Sequence, residues 1–127
     1  MKKIKRYSWR NFDKDAEKLV SGIKPLAEEG TISSIYGIPR GGVILAVRLA
    51  YALKLPLVER ANINSTTLLV DDIAGTGATL KRFAGNYNAT IFFCKESSVE
   101  PKFWAREAKY YIRFPWAPED SLGRGSK

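Results

Sequence analysis

The chain contains no histidine and one cysteine, Cys94. Without histidine there is no imidazole general base, no Ser–His or Cys–His nucleophile pair, and no histidine-type zinc site. One cysteine excludes an intrachain disulfide and a cysteine metal cluster, and makes the cytoplasm the expected compartment. No apolar run reaches the roughly eighteen residues of a membrane span, so no membrane partner is expected. The start, Met1-Lys2-Lys3-Ile4-Lys5-Arg6, is basic, but no apolar stretch follows it, and it does not read as a signal peptide. Internal repeats and low-complexity segments are also missing.

What is present suits one soluble domain: 127 residues, 45% hydrophobic and 27% charged. Residues 1–127 read as a single unit, with a polar, glycine-bearing tail over 117–127 expected to be mobile. The net charge of +8 favours anionic partners such as phosphates or nucleic acid, although a basic coat needs no specific partner.

Helix and strand signals alternate. Ser8 reads as a cap, and Phe12, Ala16, Leu19, Val20 and Ile23 fall on one helical face, with Pro25 and Gly30 marking its end. The spacing predicts strands over Ile32–Ile38, Leu55–Val58, Thr66–Val70, Thr90–Cys94 and Tyr110–Phe114, and helices over Val43–Leu53 and Thr76–Tyr87. This order predicts an α/β fold: three α/β/α layers around a central, mostly parallel sheet. Such sheets bind ligands at the carboxyl ends of their strands, so the loops after strands carry the functional reading.

One such loop is Asp71-Asp72-Ile73-Ala74-Gly75-Thr76-Gly77-Ala78-Thr79. A glycine-rich turn entering a helix offers backbone N–H groups to an anion, and Thr76 and Thr79 add hydroxyl donors. Two carboxylates would repel a bare phosphate. They fit a phosphate borne on a sugar, whose hydroxyls and divalent cation they can hold. A P-loop is excluded because Ala78 stands where its lysine would be, and a dinucleotide fingerprint because Leu80 stands where its last glycine would be. The second loop is Tyr36-Gly37-Ile38-Pro39-Arg40-Gly41-Gly42, in which an arginine flanked by proline and glycines can grip a polyphosphate.

The first run resembles the phosphoribosyl pyrophosphate (PRPP) motif of type I phosphoribosyltransferases. The second resembles the pyrophosphate loop of the xanthine–guanine and hypoxanthine type, which often contains a cis peptide. Tyr7-Ser8-Trp9, Ala89 to Lys95 and Tyr111 to Trp116 extend the likeness over most of the chain. The resemblance implies that fold with a minimal hood, and transfer of 5-phosphoribosyl from PRPP to a nucleobase, a purine, with release of pyrophosphate. By resemblance, Asp71 and Asp72 orient the ribose and hold Mg2+, and Gly75, Thr76, Gly77, Ala78 and Thr79 cradle the 5-phosphate. Arg40, Gly41 and Gly42 take the pyrophosphate, and Arg40 joins the two acids as catalytic. Lys95, Tyr111 and Ile112 meet the base. A homo-oligomer is also implied.

Two departures stand out. Gly75 replaces an aspartate found in most 6-oxopurine enzymes of that family, where it handles a purine proton. The family's long lid is reduced to Glu59-Arg60-Ala61-Asn62-Ile63-Asn64-Ser65, although a lid keeps water from an oxocarbenium-like ribose. Two other readings stay open: a PRPP- or nucleotide-binding regulator of this fold, with weak or no catalysis and contact with nucleic acid, and an unrelated α/β phosphatase or receiver domain using Asp71 and Asp72.

Overall fold

The computed structural model describes residues 3–118. In chain order the elements are β1 (Ile4–Arg6), α1 (Trp9–Glu28), β2 (Ser34–Gly37), α2 (Gly41–Leu53), a 3-10 turn (Arg60–Asn62), β3 (Thr67–Ala74), α3 (Ala78–Lys81), β4 (Asn88–Phe93), β5 (Phe103–Glu107) and β6 (Tyr111–Arg113). Four strands form one sheet in the order β2-β3-β4-β5, every neighbouring pair parallel. β3 lies inside it and is buried along its whole length, which explains why Leu68-Leu69-Val70 is continuously apolar.

α1 and α2 cover one face. The Ser8 side chain accepts the Asn11 N–H at 3.0 Å and starts α1, whose Phe12, Ala16, Leu19 and Ile23 enter the main core with Leu45 and Leu49 of α2. The opposite face carries a smaller cluster of Tyr36, Ile38, Leu69, Ala74 and Leu80, roofed by α3, Ile63 and Phe83. The architecture is the expected three layers, with the second helical layer reduced to about one turn. β1 and β6 pair in parallel as a separate two-stranded sheet, Ile4 beside Tyr111 and Arg6 beside Arg113.

A buried polar knot ties this small sheet to the core. The Tyr7 hydroxyl donates to Asp15 Oδ2 at 2.5 Å, and Arg106 Nε donates to the same oxygen at 2.7 Å. Burial first, and then the Asp15 hydrogen bond, push the Tyr7 phenol well above the ordinary tyrosine range. A pKa raised on folding means that the native state holds the proton more tightly. The stability it brings is therefore complete below a pH of about 10 and falls as pH rises past that value. Tyr7→Phe is expected to cost about 1 kcal/mol at neutral pH and to flatten this alkaline decline, as measured by urea denaturation across pH. An unaltered alkaline limb would refute the assignment.

Several elements differ from their sequence reading. β3 runs through both acids to Ala74 instead of ending at Val70, because β4 continues to pair beside it as far as Phe93. The helix expected over Thr76–Tyr87 is four residues long. The chain tightens after it (Arg82 N–H to Thr79 O, Phe83 N–H to Leu80 O) and then turns at Gly85, whose φ is +100°. Leu55–Val58 makes a single parallel bridge, Leu57 with Ile35, and not a strand. β1 and β5 have no counterpart among the expected strands. β5 reads Phe-Trp-Ala-Arg-Glu, and its charges masked a strand whose arginine is satisfied by Asp15 on α1. Of the tail expected to be mobile, residues 119–127 lie outside the described residues. Among the described residues no helix is long and apolar enough to cross a membrane.

Candidate phosphate and pyrophosphate site

Both loops lie at the carboxyl ends of neighbouring parallel strands, because Gly37 of β2 stands in register with Val70 of β3. The two acids then diverge. Asp71 accepts the Asp72 N–H at 2.8 Å and lines two adjoining cavities, one over the Gly75–Thr79 turn and one between Pro39 and α3. Asp72 is buried and turns toward the start of α2. A side chain at Gly41 would sit 1.9 Å from its Oδ2, so glycine at 41 is what admits this carboxylate. Asp72 thereby links the two loops.

Within the turn, the N–H groups of Gly75, Thr76, Gly77 and Thr79 carry no hydrogen bond to the described residues, while Ala78 N–H donates to Thr76 Oγ1 at 3.2 Å. Backbone donors left open beside a cavity suit an anion. With α3 only four residues long, these amides carry the attraction more than any helix dipole. The turn is braced from behind by a segment that the sequence reading did not single out. Thr76 O accepts both the N–H of Ser98 (2.8 Å) and its hydroxyl (3.0 Å). Gly77, at φ +88°, has no room for a Cβ, which would lie 2.6 Å from Ser98 Oγ and 2.7 Å from Val99 N.

In the second loop the Pro39–Arg40 peptide bond is cis. Arg40 is exposed at the cap position of α2, with Gly41 and Gly42 buried behind it. Across the shared carboxyl edge of the sheet, the loops thus present a turn with open amides, a carboxylate and an arginine. Each of those groups comes from a different chain position, and the parallel register of β2 and β3 brings them together.

No protein-family model and no curated relative matches the sequence. Solved structures do match. A purine phosphoribosyltransferase from Pyrococcus horikoshii superposes with a TM-score of 0.77 at 22% identity, over 95% of this chain and 99% of that one. The xanthine-guanine-hypoxanthine phosphoribosyltransferase of Helicobacter pylori gives 0.72 at 24% identity, over 90% and 93%. The chain has the phosphoribosyltransferase fold. A hypothetical protein from Neisseria gonorrhoeae with bound ppGpp shares it, with a TM-score of 0.69 at 15% identity, over 94% and 92% of the two chains.

Within the phosphoribosyltransferase fold, the residues expected to meet a base are more scattered than the two loops. Lys95 is exposed and lies 4.0 Å from Glu107 Oε2, just beyond the end of β4. Tyr111 sits half-buried in β6. Ile112 is in the main core, on the wall of a separate cavity of about 390 Å³ beneath the small sheet, with Tyr7, Phe92 and Tyr110. Lys95 and Tyr111 line neither this cavity nor the two beside Asp71. Sequence reasoning also passed over Arg60 and Arg82, which face the cavity beside Asp71. Their signal was faint: two cations in short segments, with no motif around them.

Proposed function

We propose that the chain binds PRPP and transfers its 5-phosphoribosyl group to a nucleobase of the purine class. The observation that carries this is the open amides of Gly75, Thr76, Gly77 and Thr79 beside the Asp71 carboxylate, an arrangement for a phosphate attached to a hydroxyl-bearing sugar. The purine phosphoribosyltransferases among the structural neighbours support the substrate class. In the reaction a ring nitrogen of the base bonds to C1 of the ribose as the C1–oxygen bond to pyrophosphate breaks. The electron pair leaves with the pyrophosphate, and the base gives up a proton to solvent. No protein nucleophile is required, so positioning and electrostatics supply the catalysis. The 75–79 turn anchors the 5-phosphate, Asp71 orients the ribose hydroxyls, and Arg40 with Gly41 and Gly42 receives the pyrophosphate. Of the residues expected to choose the base, Lys95, Tyr111 and Ile112, none lines the two cavities beside Asp71.

Magnesium fits this donor set. The ion is commonly held by one or two carboxylates plus substrate phosphates and water, and among the described residues no cluster of three or more acidic, cysteine or histidine ligands offers a complete protein cage. Asp71 would hold it, with Asp72 beside it, and the ion would supply neutralisation of the leaving charge.

A second reading is favoured by the side chain missing at Gly75, by the short 59–65 connection, and by the ppGpp-bound neighbour: a nucleotide-responsive binder with little turnover. Absorbance assays of guanine, xanthine and hypoxanthine with PRPP and magnesium separate the two. Nucleoside monophosphate formed from any of them is the expected result. PRPP binding with no product from any base would select the binder instead.

A further inference from the structure

The cavity beneath the small β1–β6 sheet has a volume of about 390 Å³, large enough for a small organic ligand. It shares no lining residue with the two cavities beside Asp71. Tyr111, between Tyr110 and Ile112 in sequence, does not line it either, consistent with the alternation of side chains along a strand. Four cations stand in its wall, Lys5, Arg6, Arg106 and Lys109, against one acid, Glu107. Two of these charges are answered elsewhere: Arg106 Nε donates to Asp15 Oδ2 at 2.7 Å, and Glu107 faces Lys95 at 4.0 Å. Lys5, Arg6 and Lys109 are exposed and form no ion pair among the described residues. Positive charge thus surrounds one cavity without a counter-charge, which draws in an anion.

The same cavity has an apolar side. Phe92 and Ile112 are buried in its wall, and Tyr110 is exposed, with the Lys5 ammonium 5.7 Å from its ring centroid. Asn11 adds an amide: its Oδ1 accepts the Ser8 hydroxyl at 2.8 Å, and its NH2 group has no partner among the described residues. We infer that this cavity is a second nucleotide site, in which Lys5, Arg6 and Lys109 take the phosphate and Phe92, Ile112 and Tyr110 take the base. A bare phosphate would leave the apolar wall uncovered, and a neutral base would leave the cations unanswered. A nucleotide satisfies both. A free nucleotide and one unit of a single strand present the same base and phosphate, and the experiment separates them. The inference does not rest on the sugar-phosphate reading of the 75–79 turn, because no lining residue is common to the two places.

Isothermal titration of the full chain with 5′-AMP tests this, in excess ribose 5-phosphate so that the 75–79 turn is occupied. Arg6→Ala and Lys109→Ala are each expected to weaken AMP about tenfold, as for loss of a charged hydrogen bond. Tyr110→Ala should weaken it about fivefold, as for loss of a stacked ring, and Tyr110→Phe should restore it. Adenosine and inorganic phosphate should each bind wild type more weakly than AMP by about tenfold or more. Lys24→Ala, an exposed cation on α1, lowers the net charge equally and should stay within about twofold. A short oligoadenylate assigns the source: tighter binding than AMP with the same dependence on Tyr110 marks a strand, and binding no tighter marks the free nucleotide. AMP bound equally by wild type and these variants would overturn the site, as would wild type binding none or ribose 5-phosphate displacing all of it. If AMP depends on Lys109 and Tyr110 while ribose 5-phosphate fails to bind wild type, the second site stands and the sugar-phosphate reading falls.

Discussion

PRPP with magnesium is expected to raise the melting temperature of the wild-type chain, and Asp71→Asn is expected to abolish that rise. A ligand present at a hundred times its dissociation constant adds about 2.7 kcal/mol, which for a domain of this size is a melting shift of about 10 °C. Asp71 faces both cavities of the site, and its charge is what a ribose hydroxyl and a divalent cation would use. Asparagine keeps an oxygen for the Asp72 N–H, which Asp71 accepts at 2.8 Å, and the shift is read against the unliganded variant's own melting temperature. The comparison therefore isolates binding from folding. A PRPP shift that survives the substitution would remove the carboxylate from the site, and with it the reason for reading the turn as a sugar-phosphate cradle. Ribose 5-phosphate, anchored mainly by the turn, should lose less.

Gly42→Ala has the largest expected effect on stability. A Cβ there would lie 2.2 Å from Val70 O and 2.9 Å from Asp71 Cα, both backbone atoms of the buried β3. Val70 O also accepts the Ile38 N–H at 2.8 Å, and Ile38 O accepts the Gly42 N–H at 2.9 Å, so the first turn of α2 cannot retreat without opening the β2–β3 junction. Forcing one methyl into such a contact costs about 3 kcal/mol or more, read as a fall of about 10 °C in Tm. Because the strain falls where the 36–42 loop meets β3 beside Asp71, PRPP binding, as proposed for this site, should weaken in parallel. A variant with wild-type Tm would mean that α2 sits farther from β3 than the structure places it.

The sequence by itself determined which chemistry this chain can hold. Having no histidine, it cannot run an imidazole-based mechanism, and the order of acids, glycines and threonines from Asp71 to Thr79 carries the proposal of a sugar-phosphate turn, because those properties reside in side-chain type and local backbone freedom. The alternation of periodic segments also fixed the layered, parallel architecture, since hydrophobic spacing follows from which face each segment buries. Tertiary structure alone decided which way each acid points, Asp71 into the cavities and Asp72 toward α2, because that depends on how closely a helix approaches a strand. It also decided that Ser98 braces the turn, that β5 is a strand despite its charges, and that Arg60 and Arg82 share a cavity with Asp71. Those contacts join residues eleven or more positions apart, and no local pattern records a meeting that only the folded chain brings about.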